Sequence, residues 1–391
     1  MRFLHTSDWH VGKVLKGRPR HDEHARVLAE IVDIAAREQV DAVLIAGDLY
    51  DTSAPSPEAQ RLVVHALLRL RAVGAEVLLV AGNHDNAATF DAYRPLMAAA
   101  GISVTGQARP PAGGGVVTFT ARTTGEPVRV ALLPFVSQRY AIRAAELVSR
   151  TPVDNALGYD QRIRDMIGAL TDGFDGDAVN LVLAHLTVTG GSFGGGERPA
   201  QSVFEYHVPA TAFPATANYI ALGHLHRRQS LPSHCPVHYS GSPIAVDFGD
   251  QDNVGCVIVG DVAPGLPPRV RDVPLATATP LRTVRGTVDE LRQRVAEEPA
   301  LVEAWLRVFV REPARAGLRE EVVSALPNAV DVRIDPEMAA PVHPPVHSER
   351  GTRTPAQLFA DYLATEAVAD PRLEALFDEL HDLVTTTSMT D

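Results

Sequence analysis

Five runs of apolar residues in this chain stop on the same kind of polar cluster, and that recurrence constrains the fold more than any other feature. "MRFLHTSDWH" starts the chain, "VDAVLIAGDLYD" follows at 40–51, "VLLVAGNHD" at 77–85, "NLVLAHL" at 180–186 and "NYIALGHLH" at 218–226. Short, continuous, β-branched-rich runs read as buried strands. Helical patterns separate the first three: 21–38, with Val27, Leu28, Ile31, Val32, Ile34 and Ala35, and 57–73, with Leu62, Val63, Ala66, Leu67 and Leu70. Strand alternating with helix predicts a layered α/β fold. In such sheets ligands bind beyond the carboxyl ends of the strands, where all five polar clusters stand.

A chain of 391 residues is too long for one small core and predicts two or three domains. The style changes near residue 280. Over 281–337 a helix ("VDELRQRVAEE"), a strand ("AWLRVFVRE"), a second helix ("LREEVVSAL") and a strand ("AVDVRI") predict a small α/β cap beside the 1–280 catalytic domain. Residues 338–355, with "APVHPPVHSERGTRTP", read as a proline-rich linker. Thr354-Pro355 with Gln357 form a capping-box start for terminal helices over 356–391. After Asp370-Pro371 a second helix puts Leu373, Leu376, Phe377, Leu380, Leu383 and Val384 on one face. These helices either pack on their own domain or dock on a partner helix; the linker and the acidity of the tail favour docking.

Charge needs locating before a nucleic-acid role is weighed. Residues 354–391 hold eight acids and one base, a balance of −7, which leaves −5 of the chain's −12 to the other 353 residues. The body is therefore free to carry a local basic face. Arg18, Arg20, Arg139 and Arg198 lie near the motifs, and each reads as a solvated surface arginine rather than a phosphate contact. No run reaches the ~18–20 apolar residues of a membrane span, and two cysteines, Cys235 and Cys256, make neither a zinc spacing nor a disulfide framework. The expectation is a cytoplasmic enzyme.

The strand ends supply the chemistry. Asp8 and His10 are two apart, as are His224 and His226, so an extended chain points each pair to one side. Asp48 follows Gly47, Asn83 and His84 follow Gly82, and His185 ends its run directly. Asp8, His10, Asp48, Asn83, His185, His224 and His226 form a carboxylate, imidazole and amide set suited to Mn²⁺, Fe²⁺ or Zn²⁺. Seven ligands are too many for one ion with an open position, whereas two ions sharing Asp48 use them all. Two such ions would attract a phosphodiester, stabilise the charge of its transition state and acidify a bound water. His84, not needed as a ligand, either protonates the leaving oxygen or stabilises the pentacovalent phosphorus, with Asp85 holding its ring. "GGSFGGG" at 190–196 lacks the Lys-Ser/Thr ending of a phosphate-binding loop and reads as a flexible loop.

"DWH", "GDLYD", "GNHD", a lone His after a strand and "GHLH" resemble the calcineurin-like metallophosphoesterases. Within them "LHTSDWHVGK", "AGDLYDTSAPS", "AGNHDN", "AHLTVTGG", "YIALGHLHRRQ" and "YSGSPIAVDFGD" look like the nuclease subunits of bacterial SbcCD complexes, over about residues 1–260. The resemblance implies a four-layer sandwich of two sheets flanked by helices, with a small cap and terminal helices. It implies two divalent ions, Mn²⁺ in this family. One would be bound by Asp8, His10, Asp48 and His226, the other by Asp48, Asn83, His185 and His224, with His84 as the catalytic histidine. It implies exonuclease action on double-stranded DNA ends and endonuclease action on single strands or hairpins, in DNA repair, recombination and replication. The implied partner is an SbcC-like SMC-type ATPase, with the chain a homodimer in a two-plus-two assembly. One departure is Asp51, where archaeal and eukaryotic relatives place a histidine, so end polarity does not carry over from the eukaryotic enzymes. The rival readings are a stand-alone phosphoesterase acting on small nucleotides or phosphoproteins and a non-catalytic scaffold.

Overall fold

The run "RFLHT" becomes the strand Arg2–Thr6, in the middle of a six-stranded sheet. In a computed structural model of the chain, residues 1–137, 140–141, 158–197, 207–338, 355–365, 372–373 and 375–377 are described. The sheet runs in the order Arg269–Pro274, Cys256–Asp261, Arg2–Thr6, Ala42–Ile45, Glu76–Val80, Ile102–Thr105. The last four strands are parallel, with Phe3 opposite Ala42 and Val43 opposite Val77. A second six-stranded sheet has the order Gln229–Leu231, Val237–Tyr239, Tyr219–Gly223, Val179–His185, Pro127–Leu133, Val116–Thr120. Its four inner strands are likewise parallel.

The two sheets face each other, and alternation of side chains along each strand builds three apolar layers. Phe3, Leu44, Leu78 and Val80 meet Val130, Leu132, Leu181, Leu183 and Tyr219 between the sheets. The opposite faces of the same strands, with Leu4, Val43, Ile45 and Leu79, lie under the helices His21–Arg37 and Pro57–Ala72 and under Phe90 of the helix Ala87–Ala99. On the far side Val182, Ile220 and Leu222 pack beneath Ile163, Met166, Ile167 and Leu170 of the helix Tyr159–Thr171. Helix, sheet, sheet, helix is the expected four-layer sandwich, and the continuous apolar runs are explained by strands covered on both faces.

Residues 281–334 carry a sheet of their own. Strands Leu281–Gly286, Trp305–Val310 and Ala329–Ile334 lie parallel, with helices Val288–Glu297 and Leu318–Ala325 in the crossovers and a core that includes Val284, Leu291, Leu306, Val308 and Val322. Leu15 and Phe248 pack against Leu281 and Val330. All of this belongs to one compact unit, Met1–Asp335. In the second unit, Pro336–Asp391, the helix Pro355–Thr365 starts on its proline, and Phe359 stacks on Phe377 with ring centroids 4.3 Å apart. The predicted linker lies outside the described residues from 339 to 354, and so does most of the predicted second terminal helix. No helix among the described residues is long and apolar enough to cross a membrane.

Arg20 corrects a sequence expectation. It is buried, with Nε and Nη2 both 2.7 Å from the Glu23 carboxylate, and it ties the first helix to the Ala245 carbonyl. Arg18 is exposed as expected, while Arg139 and Arg198 lie outside the described residues.

One turn further on, His24 is buried with Nδ1 2.8 Å from the Arg20 carbonyl oxygen, and burial lowers its pKa to about 4. An unfolded chain takes up that proton near pH 6.5, so this group's contribution to stability is intact above pH 6.5 and is lost as the pH falls toward 4, by about 3 kcal/mol in all. Urea unfolding midpoints followed from pH 7 to pH 4 should fall less steeply in His24→Gln than in the wild type.

Candidate metal centre

The strands that carry the motifs all end at the same edge of the sandwich, and the loops beyond them are joined by backbone hydrogen bonds. Asp8 N–H donates to the Gly47 carbonyl (2.9 Å), His10 N–H to that of Asp48 (3.0 Å) and Val11 N–H to that of Leu49 (3.0 Å). Six non-glycine residues among those described have positive φ, and four of them are candidate ligands: Asp8 (53°), His10 (47°), Asp48 (53°) and His224 (101°). Such conformations disfavour any side chain with a Cβ, and their clustering here marks a functional site. Two glycines let the loops close. A Cβ on Gly82 would lie 2.1 Å from Asp48 Oδ1, and one on Gly223 would lie 1.9 Å from the Ala46 carbonyl oxygen.

The seven predicted side chains converge. Donor atoms of Asp8, His10 and His226 lie within 4.8 Å of one another, as do those of Asp48, His185 and His224, and all six residues are buried. His10 Nε2 and His226 Nε2 are 3.1 Å apart. Asn83 Oδ1 sits 2.9 Å from His185 Nε2 and 2.8 Å from His224 Nδ1. Asp48 stands between the groups, with Oδ2 3.9 Å from His10 Nε2 and 3.5 Å from His185 Nε2. Ligands held at ~2.1 Å around one ion are about 3.0 Å apart in an octahedron and about 3.4 Å apart in a tetrahedron. The spacing and the hard oxygen and imidazole donors therefore fit divalent cations.

Electrostatics separates the histidines. Burial lowers His185 to about 3, and burial together with neighbouring imidazoles lowers His10 and His224, so these rings are neutral and offer lone pairs. His226 moves the other way. Burial pushes it down, but Asp250, Asp8 and Glu197 more than offset that. Burial raises Asp8 to about 6, against the pull of His226, Ser7 and the His224 N–H. Asp51, despite burial, is brought down to about 2 by His10 and Lys13.

His84 stands beside this cluster, its ring edge-on to His10 at 4.7 Å between centroids. Its backbone N–H donates to Asp48 Oδ1 (2.8 Å), and its Nδ1 is 2.7 Å from the Asp51 carbonyl oxygen. The expected role of Asp85 is corrected here. Its carboxylate accepts from the N–H groups of Gly82 (2.9 Å), Tyr50 (3.0 Å) and Leu49 (3.3 Å), so it ties two ligand loops together, and the Asp51 carbonyl orients the His84 ring. The glycine loop is also more than a free connector. The N–H groups of Gly194 and Gly195 donate to the Glu197 carboxylate, which accepts the His226 N–H as well.

Sequence reasoning missed three further contributors. Phe135 stacks on His224 and meets His185 edge-on. Glu197 anchors the His226 backbone, and Asp250 faces His226 Nδ1 at 3.5 Å. Asp250 closes a capping box with Asp247 around a 3-10 turn, a pattern too short to stand out in the sequence. Asp85→Ala would leave three buried amides unpaired at about 1 kcal/mol or more each. Chemical denaturation should therefore show a loss of about 3 kcal/mol or more, with metal binding weakened as the Asp48 loop loosens.

Comparison with known proteins agrees with this geometry. Residues 1–228 match the model of the calcineurin-like phosphoesterase family. The chain is 36% identical over 285 residues to the D subunit of nuclease SbcCD from Bacillus subtilis, covering 72% of this chain and 71% of that relative. It is 31% identical to the corresponding Rhodobacter capsulatus subunit over 92% of this chain and 94% of the relative, and 28% identical to that of Escherichia coli K12 over 85% and 84%. With a family match over more than half its length and relatives of this identity and coverage, the chain belongs to the calcineurin-like phosphoesterases, in the family of the D subunits of nuclease SbcCD.

Proposed function

We propose that the chain is the metal-dependent nuclease subunit of an SbcCD-type complex, a phosphodiesterase with two divalent cations that cuts DNA. The observation that carries this reading is the placement of Asp48 between two groups of buried ligands, each able to hold one ion. Asp8, His10, Asp48 and His226 would hold one cation, and Asp48, Asn83, His185 and His224 the other. When bound, the ions supply positive charge to a phosphodiester and make a nucleophile available at neutral pH. Mn²⁺ suits a donor set of carboxylate, carbonyl and imidazole without thiolate.

The remaining chemistry falls to the chain's own residues. The bond to the Asp51 carbonyl assigns a proton to His84 Nδ1, so Nε2 is the nitrogen that changes protonation. As a water oxygen bonds to phosphorus and the ester bond opposite breaks, protonated His84 hands the Nε2 proton to the leaving oxygen. His84 is therefore the catalytic residue of this reading.

The substrate is duplex DNA at its ends, with single strands and hairpins cut internally, in double-strand-break and hairpin processing. ATP hydrolysis belongs to an SbcC-like partner. The segment 356–391 is the docking element for that partner's coiled coil, which agrees with the exposure of Tyr362, Leu373 and Leu376. Residues 1–280 form the catalytic domain, 281–337 the cap and 338–355 the linker. The chain works as a homodimer in a two-plus-two assembly in the cytoplasm.

The purified chain, assayed on end-labelled duplex and hairpin DNA with Mn²⁺, should cleave both, and a small phosphomonoester should be a poor substrate. His84→Ala should lower DNA cleavage by about 10²–10⁴-fold at unchanged metal content. Chelation should abolish cleavage and added Mn²⁺ restore it. Hydrolysis of the monoester alone would move the chain to a stand-alone phosphatase.

A further inference from the structure

The glycine loop at 190–196 and the three-stranded sheet of residues 281–334 have no part in the chemistry above, yet one short turn joins them. The turn is Phe248–Asp250, capped by Asp247. Asp247 Oδ1 accepts Phe248 N–H (2.6 Å), and Asp250 Oδ2 accepts from Val246 N–H (3.2 Å) and Asp247 N–H (3.4 Å). On one side the sheet grips this turn. Arg307, from the middle strand Trp305–Val310, lays its guanidinium over the Phe248 ring, 4.3 Å from the centroid. Its Nε is 2.8 Å from Asp331 Oδ2 and its Nη2 3.5 Å from Asp247 Oδ1, so one side chain bridges the neighbouring strand and the turn. Phe248 is buried against Leu281 and Val330, and Thr283 Oγ1 donates to Gln251 Oε1 (2.7 Å).

On its other side the turn meets the glycine loop, and the loop meets His226. A Cβ on Gly195 (φ 118°) would lie 2.9 Å from Gly249 Cα. A Cβ on Gly194 would lie 2.2 Å from Asp250 Oδ1 and 3.2 Å from His226 Cβ, so this residue fills the gap between the turn and the candidate ligand. The N–H groups of Gly194 and Gly195 donate to Glu197 Oε1 and Oε2 (2.7 Å each), and Oε1 also accepts the His226 N–H (2.9 Å). The His226 backbone is thus fixed by a loop, the loop by the turn, and the turn by Arg307 and Phe248. His185 is held elsewhere, with Nδ1 2.8 Å from the Ala46 carbonyl oxygen.

A cation over an aromatic ring is worth most where water is excluded, and only 19% of the Arg307 side chain is exposed. The planar fork lets arginine stack and pair at once, which the lysine ammonium does not. Backbone packed on backbone, as at Gly195 and Gly249, has no side chain to take up a displacement, and close-packed interiors transmit strain. We propose that Arg307 is a positioning residue for His226, and that the sheet of residues 281–334 sets the metal centre through Phe248, the 247–250 turn and the glycine loop. Cleavage then depends on where this sheet is seated, and whatever lifts it slows the chemistry without touching the ligands. The kinetic part of the proposal rests on the nuclease reading above; the positioning of His226 stands without it.

The test is hydrogen–deuterium exchange of the full metal-free chain, read by mass spectrometry, beside steady-state cleavage of duplex DNA at saturating Mn²⁺. In Arg307→Ala, peptides covering 190–197 and 224–228 should exchange about tenfold faster, the size of one partly desolvated cation–π contact. The peptide covering 179–186 should not change. A remote shift of about 1 Å at a reacting group costs about 10²-fold, so kcat should fall by about 10–10²-fold with KM for DNA unchanged. Arg307→Lys should recover part of both losses, since the charge stays beside Asp247 and Asp331 while the flat stack is gone. It also carries the test should Arg307→Ala fail to fold. Arg307→Ala combined with Gly195→Ala should be no worse than Gly195→Ala alone, because both break one line of contacts. Faster exchange confined to 281–334 would make Arg307 a structural residue of its own sheet and overturn the proposal. A raised KM with unchanged exchange at 190–197 would assign Arg307 to DNA and overturn it too. The expected exchange in a chain that cleaves no DNA would count against the nuclease reading and leave the positioning of His226 standing.

Discussion

Asp48 is the residue on which the rest of the arrangement depends. Its carboxylate reaches donors from both sheets at once, with His10 on one side and His185 on the other, while its Oδ1 accepts the His84 N–H. That is possible only if the turns after Ile45, Val80 and Leu222 approach more closely than residues with a Cβ allow. Gly82 and Gly223 provide the approach, and Gly47 (φ 89°) turns the chain into Asp48. The glycine before each of these polar clusters is thus a steric condition for bringing the strand ends to one point. Left-handed backbone at Asp8, His10, Asp48 and His224 adds local strain of order 1 kcal/mol or more at each. The three buried apolar layers below hold those residues where isolated loops would relax.

The same crowding sets the electrostatics. Burial drives the histidines toward neutrality and the carboxyls toward protonation, and these opposite pushes leave His185 at about 3 and Asp8 and Asp85 at about 6. Neutral imidazoles are the form a cation needs, so burial prepares the donors while making the carboxylates costly. Asp85 offsets part of its cost with three backbone amides, and Asp8 with Ser7 and the His224 N–H. In both cases the hydrogen bonds that steady the carboxylate also tie a ligand loop in place. Stability of the loops and readiness of the site are one set of contacts.

The sandwich and the seven candidate ligands are legible in the sequence because both rest on strong local signals. Continuous apolar runs such as "VLLV" and "NLVLAH" mark strands buried on two faces, and each leads into its candidate ligand. Weaker signals hide the rest. Val116–Thr120 is a half-exposed edge strand with no clean alternation, and the helix Ala87–Ala99 contains Pro95 and buries only Phe90. Arg20 resembles a surface cation because, beside its local partner Glu23, its burial depends on a fold that brings the Ala245 carbonyl to residue 20. Asp85 misleads for a related reason. Its neighbour in sequence is His84, but the amides that need an acceptor belong to Gly82, Leu49 and Tyr50. Adjacency in a motif shows that residues share a turn and leaves open which of them touch.

The outer carboxylates extend that lesson from reading a site to understanding its design. Asp51 and Asp250 come from the second strand-end loop and from a 3-10 turn some 200 residues later, and both stand behind the imidazoles rather than among the donors of the Asp8, His10 and His226 group. Each is placed where an imidazole's second nitrogen needs an acceptor. His10 Nε2 and His226 Nε2 approach to 3.1 Å, the distance of a hydrogen bond in which one ring donates and the other accepts. The two carboxylates lie 3.6 and 3.5 Å from the outer nitrogens and raise the negative charge behind both rings without closing a hydrogen bond to either. In the other group the amide of Asn83 stands between His185 and His224, and His185 Nδ1 faces the Ala46 carbonyl oxygen. What separates the two groups of side chains is therefore the ionic surroundings of the rings, set by where residues 51 and 250 fall in the fold.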